Sequence, residues 1–454
     1  MDYNNSDIII AHATPIGNAA LAVIRISGEN ILDDISNFFS INKLKPRYAY
    51  VGTLKSPNNN QSLDKCVVTY FAAPKSYTGE NMLEISCHGG ISLVEHIINE
   101  FVLFGYRVAY PGEFSYRAFK NNKIDLLQAE SIAEKITSNT NKYSVLLQNM
   151  EDGSTSNKIK ELRLLIVNIL SIIEHELDFN ENEIDHLEHK KIIRQLKNIS
   201  AEINQIVSLS EKIKLLDSGY KVMILGYPNV GKSTLFNKII GQDKAIITSI
   251  KGTTRDILEA QIKIHNVPIT LYDTAGYRKT KNKIELLGIK KSLELLNKMD
   301  VILIVDDHHP NLIKKELINK KYLSKSHNII LIKNKCDDIK KTQVHDKKNN
   351  IYQISAQQGL GVNQLLTSLL TFFNLNIDKN SCENIILCNA RQILLLKQGN
   401  KIISLAIENI NQNLQMDIIA SELKDFIYLM DEMLGKITSN EVLNNIFKGF
   451  CVGK

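Results

Sequence analysis

The sequence predicts a multidomain protein that combines an α+β domain, an all-α helical domain and an α/β domain. Three observations lead to this prediction. Up to about residue 120, short β-rich runs alternate with Gly and Pro. From Asp125 to about Leu216 the apolar spacing is helical and proline is absent. From Tyr220 to about residue 375 strands alternate with helices, and the helical pattern returns from Cys382.

These changes of pattern define four segments. We predict an N-terminal α+β domain over residues 1–120, a first helical part over 121–217, an α/β domain over 218–376 and a second helical part over 377–454. Because helical segments flank the α/β block, we expect one discontinuous helical domain into which the α/β domain is inserted. Such insertions are tolerated when the two ends of the inserted domain lie close together.

The strands of the first domain are visible as short apolar runs. Residues 7–10 (DIII), 21–26 (LAVIRI) and 66–71 (CVVTYF) are rich in β-branched and aromatic side chains, which favour strands. In the α/β domain, residues 222–225 (VMIL) and 329–333 (IILIK) are continuous apolar runs typical of strands buried on both faces.

Composition limits the cellular setting. The net charge of +6 suits an anionic partner such as RNA without requiring one. Six cysteines without a C-x-x-C pair or zinc spacing indicate reduced thiols, and the polar, acidic start argues against a signal peptide. Residues 162–173 form the longest apolar region, but it is short and contains Arg163 and Asn168. We therefore expect a soluble, cytoplasmic protein with no membrane partner.

A phosphate-binding motif opens the α/β domain. Residues 226–233 (GYPNVGKS) match G-x-x-x-x-G-K-[ST] between the apolar run 222–225 and a helical run, 234–240. Backbone N–H groups and the helix N-terminus can cradle phosphates, while Lys232 reaches the β- and γ-phosphates and Ser233 ligates Mg²⁺. The motif alone does not separate an ATPase from a GTPase.

Three later motifs favour guanine. Residues 273–276 (DTAG) follow an apolar run and place an acid near the metal; residues 334–337 (NKCD) match the N-K-x-D pattern of GTPases. There Asp337 would accept hydrogen bonds from guanine N1 and N2, which adenine does not supply. Ser355 and Ala356 resemble the last guanine loop. Order and spacing together predict GTP binding.

The catalytic group is less obvious. Ras-like enzymes orient the attacking water with a glutamine beside D-x-x-G, but here that position is Tyr277. The transition state also needs positive charge, for which Arg255 and Arg278 are possible sources. Each could equally form a surface ion pair.

Along its whole length the sequence resembles the tRNA modification GTPases called MnmE (TrmE). The GTPase motifs, including residues 252–256 (GTTRD), are shared with relatives of that family. The more specific matches are residues 13–15 (ATP), 25–28 (RISG), 77–80 (YTGE), 88–90 (HGG), 111–114 (PGEF), 122–130 (NKIDLLQAE) and the C-terminal Cys-x-Gly-Lys.

The resemblance implies a potassium-activated G domain that pairs face to face with a second copy. Ser233 and Thr254 would bind Mg²⁺, and the K⁺ ligands would be Asn229, Thr248, Ile250 and Thr253. Glu285, twelve residues after Asp273, matches the family's water-orienting glutamate; without the family, a solvated helix acid is the simpler interpretation. The GTP-binding set comprises Asn229, Val230, Gly231, Lys232, Ser233, Thr234, Thr248, Ser249, Ile250, Lys251, Gly252, Thr253, Thr254, Asp273, Thr274, Ala275, Gly276, Asn334, Lys335, Asp337, Ser355 and Ala356.

The resemblance also implies a cofactor and partners. The N-terminal domain would bind 5-formyl- or methylene-tetrahydrofolate through Arg25, Glu84, Lys123 and Lys454. No G-x-G-x-x-G follows a strand, so the redox steps would come from a flavoprotein, MnmG, in a heterotetramer-type complex with a homodimer of this chain. The product would be a tRNA carrying carboxymethylaminomethyl at C5 of its wobble uridine.

Two other functions are weaker alternatives. An Era-like, RNA-binding GTPase of ribosome assembly would bring a KH module, whose G-x-x-G loop is not found after the α/β domain. A dynamin-like membrane-remodelling GTPase would need a lipid-inserting stretch, and none stands out.

Cys451 is the fourth residue from the end. Prenylation of a C-a-a-X box is disfavoured because Gly453 is not aliphatic and Lys454 is an atypical last residue. Residues 438–441 (TSNE) predict a capping box that opens a short helix, and Gly449 can end it. With the family match, we expect this helix to aim the tail at the folate pocket, where Cys451 would act as a nucleophile or handle a proton.

His88 precedes two glycines and could serve as a general base. We expect instead a histidine that is hydrogen-bonded in a turn.

Overall fold

A computed structural model describes most of the chain. The described residues are 7–41, 43–57, 59–138, 140–178, 189–242, 257–264, 267–274, 295–320, 322–323, 327–337, 344–346, 350–372 and 385–453. The chain folds into two compact units. The first comprises residues 1–137, 146–210 and 386–454, and the second comprises residues 138–145 and 211–385.

A six-stranded sheet forms the N-terminal part of the first unit. Its strands are β1 (Ile9–His12), β2 (Ala19–Ser27), β3 (Ala49–Lys55), β4 (Ser62–Phe71), β5 (Met82–Gly89) and β6 (Arg107–Val108). The spatial order is β3-β4-β5-β2-β1-β6, with only the β1–β6 pair parallel. Each predicted strand run lies within or overlaps one of these strands.

Helices α1 (Ile31–Phe38) and α2 (Ile91–Phe104) cover one face of this sheet. The alternate residues that face them, such as Ile24, Val68 and Ile85, are fully buried, and Phe38 stacks on Phe101 at 4.0 Å. The residues between them on the same strands lie half-buried or exposed on the other face. The period-2 pattern of the sequence therefore separates a packed face from an open one.

Two of the family-specific motifs supply the carboxylate partners of a buried arginine in this domain. Arg117 is 1% exposed, and its guanidinium pairs with Glu80 at 3.0 Å and with Glu113 at 3.2 Å. Asp7 joins the same group at 2.6 Å from Arg117. A buried cation needs such partners, so the glutamates of YTGE and PGEF have a structural role.

The other helices of the first unit pack as a bundle, as the helical periodicity predicted. They are α3 (Glu113–Lys120), α4 (Leu126–Thr137), α5 (Asn141–Glu151), α6 (Ser154–Asp178), α7 (His189–Ser218), α11 (Ala390–Asn411), α12 (Met416–Met433) and α13 (Asn440–Lys448), of which α5 and α7 continue into the second unit. Asp431 on α12 accepts two hydrogen bonds from Arg163 on α6, at 2.8 and 2.7 Å. This pair joins helices that are far apart in sequence.

Helix α13 begins one residue later than the capping box predicted. Ser439, not Thr438, is the N-cap, and its hydroxyl accepts a hydrogen bond from the Val442 amide at 3.3 Å. The Thr438 hydroxyl donates instead to the Glu432 carbonyl. Gly449 does end the helix, in a right-handed conformation with φ −77° rather than in a left-handed cap.

The second unit has a doubly wound, mostly parallel sheet. Its strands are β7 (Tyr220–Gly226), β8 (Ile257–Ile264), β9 (Val267–Thr274), β10 (Val301–Asp306), β11 (Ile329–Lys333), β12 (His345–Asp346) and β13 (Ile351–Gln353). The order is β12-β13-β11-β10-β7-β9-β8, antiparallel only at the two edges. Helices α8 (Lys232–Gln242), α9 (Pro310–Asn319) and α10 (Val362–Phe372) and a short 3₁₀ helix, Leu296–Lys298, complete its described part.

The central strands of this sheet are buried on both faces. All six residues of β10 are buried, and the five from Val301 to Val305 are apolar. Helices α8 and α10 contribute to the core on one face and α9 to the core on the other. This sandwich fixes the carboxyl ends of the parallel strands, where ligands bind in such folds. Within the described residues no helix combines the length and apolarity needed to cross a membrane.

Candidate nucleotide site and carboxy-terminal tail

The phosphate loop connects β7 to α8 at the carboxyl edge of the parallel sheet. Gly226 ends β7 beside β10, where a Cβ would lie 2.1 Å from the Val305 carbonyl oxygen. Asn229 and Gly231 have φ of +64° and +93°, and a Cβ on Gly231 would lie 2.2 Å from Asn334 Nδ2. The glycines of the motif are thus required by close packing, and the loop presents its N–H groups at the start of α8.

Lys232 is buried at the first position of α8. Its Nζ donates to the Tyr227 carbonyl at 2.8 Å, which folds the side chain back along the loop. Burial lowers the pKa of Lys232, and the nearby Asp273 carboxylate opposes that shift. A buried ammonium held over a loop of N–H groups is suited to an anionic ligand.

Ser233 and Asp273 form the acidic end of the site. The Ser233 hydroxyl donates to Asp273 Oδ2 at 2.8 Å, while Asp273 Oδ1 is buried and has no hydrogen-bond partner. Burial raises the pKa of Asp273, against the Ser233 hydrogen bond and the Lys232 charge. A hydroxyl beside a buried carboxylate with an unsatisfied oxygen is a donor set that fits Mg²⁺.

Asn334 ties the phosphate loop to the two later loops. Its Nδ2 donates to the Val230 carbonyl at 2.8 Å and its Oδ1 accepts from the Ala356 amide at 2.9 Å. Its own amide donates to the Asp306 carbonyl at the end of β10. Asn334, 3% exposed, therefore links its own loop through its side chain to the phosphate loop and the Ala356 loop, and through its backbone to the end of β10.

Asp337 is held by the last loop. Its Oδ1 accepts from the Ser355 hydroxyl at 2.6 Å, and the same hydroxyl oxygen accepts from the Gln358 amide at 3.2 Å. Lys335 adopts φ +62° and pairs with Asp307 at 3.1 Å. The structure thus brings together residues of all three predicted base and phosphate loops.

Asp306 was not predicted as a site residue. It is buried at the end of β10, and its Oδ2 accepts from the amides of His308 and His309 at 3.1 and 2.6 Å. Its carboxylate shapes the turn after β10, and its carbonyl accepts from the Asn334 amide at 2.8 Å. An acid at the end of an apolar strand was the signal available in the sequence.

Several predicted residues of this site lie outside the described residues. These are Thr248, Ser249, Ile250, Lys251, Gly252, Thr253, Thr254, Ala275, Gly276 and the proposed water-orienting Glu285. Thr234 lies exposed on the first turn of α8, and Thr274 ends β9. The described residues of the site comprise the predicted phosphate loop and the predicted base loops.

In the first unit, Arg25 and Glu84 face each other across β2 and β5. Arg25 Nε donates to Glu84 Oε1 at 2.7 Å, and both side chains are half-buried. Lys123 packs beside Gly79 and donates to the Pro74 carbonyl at 2.9 Å. Two of the four predicted folate contacts are therefore paired with each other, the third hydrogen-bonds elsewhere, and Lys454 lies outside the described residues.

His88 also lies on the open face, on β5. Its Nδ1 lies 2.8 Å from Asp64 Oδ1 and its amide donates to Asp64 Oδ2 at 2.9 Å. The hydrogen bonds of His88 confirm the expectation, but its position was predicted wrongly: His88 lies in strand β5, not in a turn.

The tail that follows α13 lies against the N-terminal domain. Phe447 and Phe450 are buried against α3 and α4, and the Cys451 carbonyl accepts from the Gly112 amide at 3.3 Å. The Gly453 carbonyl accepts from Arg25 Nη1 at 3.2 Å, whereas Cys451 itself is exposed. The tail therefore reaches the Arg25–Glu84 pair, with an accessible thiol two residues before it.

Comparison with known proteins assigns most of the chain. Residues 126–451 match the model of the MnmE helical domain, and residues 8–123 match that of the GTP-binding protein TrmE N-terminus. The tRNA modification GTPase MnmE of Aquifex aeolicus is 34% identical over 98% of this chain and 99% of that protein. The MnmE of Fervidobacterium nodosum is 36% identical over 100% and 99%.

Solved structures resemble parts of the chain. Era in complex with MgGDPNP and 16S ribosomal RNA is 28% identical over 34% of this chain and 56% of that one, with a TM-score of 0.27. The cytosolic domain of the Thermotoga maritima (T. maritima) FeoB iron transporter is 17% identical over 47% and 98%, with a TM-score of 0.28. These scores are low, so the assignment rests on the family models and the full-length relatives. The chain belongs to the MnmE family of tRNA modification GTPases.

Proposed function

We propose that this chain hydrolyses GTP and couples hydrolysis to modification of the wobble uridine of certain tRNAs. The observation that carries the GTP assignment is the pair of hydrogen bonds by which Asn334 links the phosphate loop to the Ala356 loop, with Asp337 held beside them by Ser355. This geometry supports recognition of a triphosphate and a guanine by one rigid edge of the sheet. The full-length relatives support the tRNA substrate.

In the nucleotide site the chain's own residues bind and orient GTP. Lys232 and the loop amides hold the phosphates, and Asp337 accepts from guanine N1 and N2. Ser233, with Thr254 and the nearby Asp273, would hold Mg²⁺, which supplies charge neutralisation between the β- and γ-phosphates. Glu285 would orient the attacking water, because Tyr277 cannot.

Asn229, with Thr248, Ile250 and Thr253, would bind K⁺ where other GTPases place an arginine finger. Asn229 has a left-handed backbone conformation, with φ +64°, which sets the course of the phosphate loop at this residue. A ligand role for Asn229 is consistent with that conformation. Two copies would meet through their G domains, so the chain would act as a homodimer.

The first unit would bind a tetrahydrofolate that carries a one-carbon group. The Glu84 carboxylate is suited to the donor edge of a pterin, while Arg25, Lys123 and Lys454 are suited to its anionic tail. The flavoprotein MnmG would supply the redox steps, and the product would be carboxymethylaminomethyl at C5 of uridine. Cys451 would act at the one-carbon unit as a nucleophile or proton carrier.

Mass spectrometry of tRNA nucleosides tests this proposal. In cells that lack the protein, we expect the modified wobble uridine to disappear and to return when the wild-type chain is restored. Unchanged wobble uridines in the deletion strain would refute the assigned pathway.

A further inference from the structure

The C-terminal tail is held at three points, two of which need glycine. Gly112, the N-cap of α3, has φ +72°, and a Cβ there would lie 2.4 Å from the Phe447 carbonyl oxygen. Its amide donates to the Cys451 carbonyl. The glycine of the PGEF motif therefore gives the end of α13 room to pass, and its amide binds the tail that follows.

Gly453 is the second glycine. It has φ +91°, and a Cβ would lie 2.8 Å from Ala13 Cα and 2.9 Å from the His12 carbonyl oxygen. A side chain at this position would collide with backbone, which cannot yield as a flexible side chain can. The glycine of Cys-x-Gly-Lys is thus required for the tail to lie against the end of β1.

Arg25 is the third point, and it connects the tail to the sheet. Its Nε donates to Glu84 and its Nη1 donates to the Gly453 carbonyl, so one planar guanidinium bridges β5 and the tail. We propose that Arg25 is a positioning residue that clamps the C-terminal tail and thereby fixes where Cys451 stands on the N-terminal domain. We call Arg25, Gly112 and Gly453 the tail clamp.

The tail clamp adds a role to the one proposed for Arg25. Its Nε and Nη1 are engaged by this chain, so Nη2 is the nitrogen that would serve the anionic end of a folate. The inference rests on the proposed function, because Cys451 needs a fixed place only if it acts on a bound substrate. Phe447 and Phe450 anchor α13 independently, so loss of the tail clamp frees the last residues without unfolding the helix.

The test measures tail order in the full-length protein. The readout is hydrogen exchange of the Gly112 amide, which donates to Cys451, measured by mass spectrometry with fragmentation to single residues. Arg25→Gln removes the bridge, and we expect exchange at Gly112 to rise about tenfold, the size expected for loss of a hydrogen bond from a charged group. Gly453→Ala should raise it similarly while Arg25 and Glu84 stay in place.

Two variants serve as controls. Glu84→Gln removes the charge partner of Arg25 but leaves its bond to Gly453, so exchange at Gly112 should stay within about twofold of wild type. Arg47→Gln removes an exposed arginine that donates to the Lys75 carbonyl, and it should change nothing. Exchange at the buried strand β5 reports whether each variant is folded.

The outcomes separate the tail clamp from the proposed function. Faster Gly112 exchange in both Arg25→Gln and Gly453→Ala, with unchanged Gly112 exchange in Glu84→Gln and reduced wobble-uridine formation in Gly453→Ala, supports the tail clamp. Unchanged Gly112 exchange in Arg25→Gln, or an equal rise in Glu84→Gln, overturns it. If wild-type chain forms no modified uridine and binds no tetrahydrofolate, the proposed function fails, whereas the exchange result still decides the tail clamp.

Discussion

The nucleotide site and the tail clamp stabilise their functional groups in different ways. In the nucleotide site, two buried polar side chains hold the loops: Asn334 bonds to the backbone of two loops, and Ser355 donates to Asp337. In the tail clamp, Arg25 and the Gly112 amide each donate to a backbone carbonyl of the tail, and Gly453 lets the tail lie close to the end of β1. The first arrangement keeps its shape through many contacts, whereas the second depends on a few that single substitutions can remove.

The largest expected effect concerns the base loop. Asp337→Asn replaces a carboxylate that accepts from guanine with an amide that also donates, so GTP affinity should fall about a thousandfold and xanthosine triphosphate should become the better substrate. Competition binding with the two nucleotides measures this. Asp307→Asn, which removes the half-buried charge partner of Lys335, is the matched control; retained GTP preference in Asp337→Asn would mean that another group reads the base.

Next in size is the effect on turnover. Glu285→Ala should lower the rate of GTP hydrolysis about a hundredfold, because the attacking water loses its orienting base, while GTP affinity stays unchanged. Single-turnover hydrolysis and equilibrium binding separate the two. Glu294→Ala, nine residues along the chain, should have no effect, and retained hydrolysis in Glu285→Ala would assign water orientation to another residue.

A smaller effect follows from the proposed cation site. Hydrolysis should be about tenfold faster in KCl than in NaCl at equal ionic strength, since K⁺ would supply the positive charge of an arginine finger. In Asn229→Ala the two salts should give equal, slow rates. Equal rates in the wild-type chain would remove Asn229 from the mechanism.

The last effect, on stability rather than on binding or turnover, contrasts two aspartates. Burial acts to raise the pKa of Asp431, but hydrogen bonds from Arg163 and Lys436 outweigh it and lower the pKa below its usual value of 3.8. Its contribution to stability is therefore complete above pH 4 and is lost as pH falls through the lowered pKa. At neutral pH, Asp431→Asn should cost the first unit about 2 kcal/mol of unfolding free energy and flatten its acid dependence.

Asp273 should behave oppositely. Burial raises its pKa, so the neutral form is favoured in the folded state and stability is lost as pH rises through that raised pKa. Asp273→Asn should therefore stabilise the nucleotide-free second unit by about 1 kcal/mol while impairing hydrolysis. Hydrogen exchange in α12 and β9 reports each unit, with exposed Asp425→Asn as the control; equal responses of the two units would contradict the contrast.

The two regions also differ in how much the sequence predicts. The residues predicted to bind GTP follow strands within short motifs, and parallel strands bring their carboxyl ends to one edge. That Lys232, Asp273 and Asp337 lie at one edge of the sheet was therefore predictable. That Asn334 reaches Val230 was not, because it depends on which strands are neighbours.

The contacts of the tail clamp could be identified only from the three-dimensional structure. Arg25 and Gly453 are separated by 428 positions, and no periodicity relates them. The family resemblance placed the tail near this domain, but only the backbone of β1 explains why residue 453 is glycine. Likewise, Ser439 rather than Thr438 caps α13 because the Thr438 hydroxyl finds a carbonyl on the preceding helix, a tertiary contact that a local motif does not contain.

One measurement tests the central claim that hydrolysis and modification are carried by different regions of this chain. Cells that carry Cys451→Ser in place of the wild-type residue are assayed for wobble-uridine modification by mass spectrometry, and the purified variant is assayed for GTP hydrolysis. We predict wild-type hydrolysis and loss of the modified uridine. Normal modification in Cys451→Ser would contradict the catalytic role of the tail.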